Sequence, residues 1–174
     1  MISSGSDELG YRWVCSDCAN AEVARSEGLE GFSHPRFEPV RLTDYSGREH
    51  EFHFRTRLFG PGVSINAFEL LHGVPGGYEF QVIGEPSEDL MVLFGRLIEK
   101  TRRALARRHL VEGELGTRIA DDGVVRGSID WDDSGLPRLQ IDGRSIDWEH
   151  FGRLLMTYEG WQFHLRLLDP SEEA

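Results

Sequence analysis

The stretch from Arg138 to Asp169, RLQIDGRSIDWEHFGRLLMTYEGWQFHLRLLD, constrains the fold more than any other. Asp142-Gly143 separates two short runs, Arg138–Ile141 and Arg144–Ile146. That dipeptide suits a two-residue hairpin turn, which needs positive φ at both central positions. Asp147 follows as a candidate N-cap, whose carboxylate can accept from the free N–H groups of a first helical turn. Ile146 and Phe151 have the spacing of a hydrophobic staple. Trp148, Phe151, Leu154, Leu155 and Tyr158 recur at three and four and so share one helical face. Gly160 suits the left-handed position that closes a helix. Trp161, Phe163, Leu165 and Leu167 then alternate with Gln162, His164 and Arg166, the pattern of a half-buried strand.

Upstream, the same reasoning yields a meander. Val40–Thr43, Glu49–Phe59, Val63–Leu71 and Tyr78–Ile83 read as four antiparallel strands with short connections, the last two separated by a turn at Gly73–Gly77. Phe52, Phe54 and Thr56 share one face of the second strand, and His53, Arg55 and Arg57 the other. A long helix is expected from Ser87 to about His109, with Ser87 as N-cap and Leu90, Leu93, Leu97, Thr101 and Leu105 on its core stripe. A polar loop should span Gly113–Gly123, followed by a strand at Val124–Asp132 and a turn at Asp133-Ser134-Gly135. Met1–Gly10 reads as a mobile lead-in, Ala19–Glu27 as one or two helical turns, and Gly28–Pro39 as a connector. Phe94-Gly95-Arg96-Leu97-Ile98 is echoed by Phe151-Gly152-Arg153-Leu154-Leu155, either through two related β-then-α modules or through chance likeness of two amphipathic helices. The expected division is 1–39 as an N-terminal arm, 40–112 as the meander with its long helix, and 113–174 as a ββαβ unit packed against it. The fold class is α+β: antiparallel sheets, two principal helices and a small N-terminal Cys-x-x-Cys knuckle.

The 174 residues carry a formal net charge of -11, which disfavours non-specific attraction to nucleic acid or anionic membranes. No apolar run approaches the roughly 20 residues that span a bilayer. The N-terminus lacks the basic and apolar regions of a signal peptide. Two cysteines three apart make poor disulfide staples and fit a reducing compartment, so a cytoplasmic location is expected. Lys100 is the only lysine, a composition expected of a GC-rich bacterial genome.

Cys15-Ser16-Asp17-Cys18 is the sharpest chemical motif. Two thiolates at this spacing can reach one tetrahedral Zn²⁺, which needs four ligands. His34 with His50 or His53 would complete a Cys2His2 set, although the spacings match no standard finger. A redox role would require the pair at a helix N-terminus after a strand in a thioredoxin-like βαβ setting, which the flanks do not supply, although Ala19–Glu27 could be the helix; a vestigial or merely packed pair stands level with the metal reading. His50 and His53, three apart, point to opposite faces of a regular strand, so they also read as surface or strand-pairing histidines. Asp130 and Asp132 share a strand face and could hold Mg²⁺ in a small hydrolase or nuclease. Charges that guard a hairpin edge against aggregation are the favoured reading of this pair. Arg96, Lys100, Arg103 and Arg107 step by four, three and four along the long helix. That basic stripe could bind nucleic acid or an acidic partner, or be a solvated face paired to the protein's own acids. No nucleophile elbow, P-loop or dinucleotide glycine fingerprint occurs.

The Cys-x-x-Cys start, the His-Glu-Phe-His-Phe-Arg strand and the Thr-Tyr-Glu-Gly-Trp-Gln-Phe ending together resemble an uncharacterised family of bacterial proteins, a domain of unknown function. The similarity covers most of Tyr11–Asp169. It implies a bacterial, cytoplasmic protein and no activity, substrate or catalytic residue. The expected function is that of a non-catalytic binding or adaptor protein with a protein partner and a candidate structural Zn²⁺. A metal-dependent hydrolase or nuclease and a nucleic-acid binder are the alternatives.

Overall fold

The structure is a computed structural model that describes residues 2–4, 12–29, 31–114, 116–131 and 135–169. It is built around a four-stranded antiparallel sheet, β3 (Val40–Thr43), β4 (Glu49–Phe59), β5 (Gly62–Leu71) and β6 (Val74–Gly84), ordered as in the chain. Ahead of it come β1 (Ile2–Ser4), β2 (Arg12–Val14) and helix α1 (Ser16–Ser26). Behind it come α2 (Leu90–Leu105), the hairpin β7 (Leu110–Gly113) and β8 (Gly116–Ile119), and a second sheet of β9 (Ser128–Trp131), β10 (Pro137–Ile141) and β11 (Arg144–Asp147). Helix α3 (Trp148–Met156) closes the regular structure. The class is α+β, as expected.

Two cores follow from the sequence periods. Phe52 and Leu58 of β4 and Val63, Ile65 and Ala67 of β5 alternate inward to meet Leu93, Leu97 and Leu105, which recur on one face of α2. Each such side chain contributes about 1.5–3 kcal/mol when fully buried. Thr101 lies on the same buried face, and its hydroxyl donates to the Leu97 carbonyl at 2.9 Å, so it adds no unsatisfied group. The second core joins Leu110, Ile119, Ile141, Ile146 and Leu154. Asp142 (φ 50°) and Gly143 (φ 69°) form the expected tight turn between β10 and β11. The Asp142 carboxylate accepts from the His109 and Leu110 N–H groups at 2.8 and 2.7 Å, tying this turn to the linker between the two cores.

Several boundaries differ from expectation. Asp89, not Ser87, caps α2 and accepts from the Met91 N–H at 2.8 Å, because a turn closed by Glu88 N–H to Glu85 O holds Ser87 outside the helix. The helix stops at Leu105, whose carbonyl accepts from Tyr45 N–H at 2.8 Å, a bond to the β3–β4 turn. The expected Gly113–Gly123 loop contains β8, which the sequence does not announce by alternation. The strand expected from Val124 begins at Ser128, since the Val124 carbonyl faces His109 Nδ1 at 2.9 Å instead of a neighbouring strand. The β5–β6 turn falls at His72-Gly73, and β6 starts at Val74. Ile2–Ser4 of the expected mobile lead-in pairs with β2. Asp132 and the Asp133-Ser134 part of the expected turn lie outside the described residues. The largest difference is at 161–167. That segment forms no strand and has no strand partner among the described residues, because alternation demands a neighbouring strand without providing one.

Candidate functional site

The Cys-x-x-Cys motif sits at the start of α1. Cys15 is the N-cap, with extended backbone, and its Sγ accepts from the Cys18 N–H at 3.3 Å. Both cysteines are exposed and neither is in a disulfide. Hydrogen bonds from the backbone and side chain of Cys18 hold the Cys15 thiol below its ordinary pKa. Asp17, one turn in, pairs with Arg36 at 2.7 Å, and that hydrogen bond holds its carboxyl below the usual range.

His34 returns to the same helix, but its bonding faces inward. Asn20 is buried in α1, and its Oδ1 accepts from the Leu58 N–H at 2.9 Å. That contact fixes the amide orientation, so Nδ2 donates to the Thr56 carbonyl and toward His34 Nε2, each at 3.0 Å. His34 Nε2 therefore serves as an acceptor within the fold, 3.5 Å from Asp17. A shallow cavity of about 310 Å³ lies beside it, lined by Asp17, Asn20, Phe32, His34 and Arg36.

The other two histidines are elsewhere. His50 is buried on the inward face of β4, opposite Leu42 of β3, so of the surface and strand-pairing positions expected it takes the strand-pairing one. Its Nδ1 lies 2.7 Å from Glu69 Oε1 and its Nε2 3.1 Å from Asp44 Oδ2. Burial pushes the Asp44 carboxyl up, but hydrogen bonds from Ser46, His50 and the Arg48 backbone outweigh it and hold the carboxyl well below the carboxylate range. Glu69 Oε2 in turn accepts from the Tyr78 N–H at 2.8 Å. Burial, then the charges of Asp142 and Asp44, pushes the Tyr78 phenol far up. His53 lies on the other face, stacked on Phe68 with ring centroids 6.2 Å apart. Among the described residues, no three His, Cys, Asp or Glu side chains converge in a metal-holding group. Asp130 lies on exposed β9, away from the His50 cage of the first core, and its Oδ1 accepts from the Trp131 N–H.

The basic stripe is partly structural. Arg96 and Lys100 reach from α2 to the Ile83 and Gln81 carbonyls of β6, at 3.4 and 3.1 Å. They help cover the outer strand of the first sheet. Arg96 also pairs with Glu88 at 3.1 Å. Arg103 and Arg107 are exposed. No helix among the described residues is long and apolar enough to cross a membrane.

The feature that sequence reasoning misjudged most is the C-terminal arm. After α3, the chain turns through Gly160, held by Trp161 N–H to Tyr158 O at 2.9 Å, and continues to Asp169 without helix, turn or bend. Trp161, Phe163, Leu165 and Leu167 are 69–89 % exposed. β9 presents a second uncovered surface, with Ile129 62 % and Trp131 75 % exposed. The signal was present in the sequence as the 161–167 alternation; its lack of an internal partner was not.

Residues 33–106 match the model of a domain of unknown function (DUF7686), and residues 109–172 match a second (DUF7713). The junction falls at the α2–β7 linker that Asp142 clasps. No curated protein and no solved structure matches the chain.

Proposed function

We propose that this is a non-catalytic binding protein that engages another protein chain by strand addition through residues 161–168. The observation that carries the reading is the sequence alternation of Trp161, Phe163, Leu165 and Leu167, all four exposed, on a segment without helix, turn or bend. Backbone N–H and C=O groups of such a segment complete a sheet edge, while every second side chain fills apolar pockets beside it. Burying four side chains of this size is worth about 6–12 kcal/mol gross, before the costs of ordering and association. Against an enzyme, the buried His50 cage is closed to solvent and Asp130 stands apart from it. A structural Zn²⁺ on Cys15 and Cys18 enters this reading only as a two-thiolate half-site, because His34 and His50 are engaged with Asn20, Asp44 and Glu69.

The test is Phe163→Asp combined with Leu165→Asp. At a dilution where sedimentation gives a single chain, the variant should keep its circular dichroism and unfolding midpoint, and it should lose association with other chains. A loss of several kcal/mol in the single chain, as expected for two buried apolar side chains, would place the arm in the monomer core and contradict the reading.

A further inference from the structure

Taking the strand-addition reading as its premise, we infer that the chain that receives the arm is a second copy of this protein, and that the acceptor is the outer edge of β9. β9 is an end strand of its sheet, paired on one side to β10. Ile129 lies opposite Leu139, which packs on the second core, so the apolar face of this sheet continues onto β9. Helix α3 packs on β8, β10 and β11, and Ile129 and Trp131 remain open. Among the described residues, one chain thus carries an apolar sheet edge without a covering strand and an apolar segment without a sheet.

Charge selects the same pairing. With Ile129 and Trp131 on one face of β9, the other face presents Ser128 and Asp130. With Trp161, Phe163, Leu165 and Leu167 on one face of the arm, the other presents Gln162, His164 and Arg166. Laid side by side with apolar faces aligned, the strands set Asp130, which already lies opposite Arg138 of β10 and accepts from the Trp131 N–H, beside His164 and Arg166 as well. Cross-strand pairs of opposite charge stabilise such an addition and like pairs oppose it. Each copy supplies what the other lacks, so the exchange closes with two-fold symmetry. The net charge of -11 on each chain opposes association at long range, and salt screens that repulsion together with the attraction of Asp130 to Arg166.

Sedimentation velocity of the full chain at micromolar concentrations tests this, alongside Asp130→Arg, Arg166→Asp, the two combined, and Phe163→Asp. The expected result is a wild-type dimer weakened about tenfold by either charge reversal, since each enters the symmetric interface twice. The combined swap should regain most of that loss, and Phe163→Asp should give a single chain. A dimer indifferent to Phe163→Asp, or to both reversals, would overturn the inference. A wild-type single chain whose arm amides exchange freely would overturn the second copy and leave the strand-addition reading standing. A single chain with a protected arm would overturn both.

Discussion

The side-chain amide of Asn20 takes the hydrogen-bonding place of a missing strand, accepting from Leu58 N–H at 2.9 Å. Its Nδ2 donates to the Thr56 carbonyl two residues away. β3 pairs with β4 only from Glu49 to Phe52, and the outer edge of β4 beyond that point would otherwise leave these groups unpaired. α1 is therefore hydrogen-bonded to the first sheet through Asn20, while Ala24 and Val23 pack on the first core.

Asn20→Ala should destabilise the protein by about 2–3 kcal/mol, because it orphans a buried N–H and a buried carbonyl together. Chemical denaturation would measure it. A midpoint shift worth less than about 0.5 kcal/mol would show that water or a neighbouring group replaces the amide.

Two glycines at positive φ should respond differently to alanine. A Cβ at Gly143 (φ 69°) would meet the Tyr78 ring at 2.8 Å, adding overlap to backbone strain where the second module touches β6. The expected loss is about 2–4 kcal/mol. Gly160 (φ 86°) has nothing within 4 Å of its Cβ position, so only the backbone term applies, about 1 kcal/mol. Equal losses in denaturation would refute the close approach of Tyr78 to the turn.

The Asp44 carboxyl, held below its ordinary value in the fold, adds a specific acid sensitivity. A depressed carboxylate contributes stability that is present above its unfolded value, about 3.9, and is lost as pH falls through the folded value. Asp44→Asn should therefore flatten the loss of stability below about pH 4. An acid-unfolding curve that keeps its wild-type slope would contradict the hydrogen-bonded role of Asp44.

Cys15 should be alkylated faster than Cys18 at neutral pH. Its thiol is lowered by hydrogen bonds from Cys18, and the thiolate is the reactive form. Peptide mapping after brief iodoacetamide treatment reads the ratio; equal rates would mean that the N-cap bond at Cys15 does not persist in solution. Elemental analysis of the same preparation tests the zinc half-site.

Local signals were legible. The Asp142-Gly143 turn, the Asp147 cap on α3 and the Leu93–Leu97–Leu105 stripe each depend on residues a few positions apart. What escaped reading depends on distant partners. Nothing near His50 announces that Glu69, nineteen residues on, meets its ring. Nothing near Asn20 announces Leu58, and Ser87 looked like the better cap because the turn closed at Glu88 is invisible in composition. The Cys15–Cys18 pair was legible as a motif but not as a helix N-terminus. The 161–167 alternation reads as a half-buried strand, but no described residue pairs with it and its apolar side chains stay exposed, because alternation is local and a strand partner is not.

Hydrogen exchange at residues 162–168, followed as protein concentration rises, tests the central claim most directly. The account predicts free exchange in the dilute single chain, with β10 and β11 already protected, and protection of the arm that grows in step with association. An arm protected equally at every concentration, or one that exchanges freely in the fully associated protein, would contradict it.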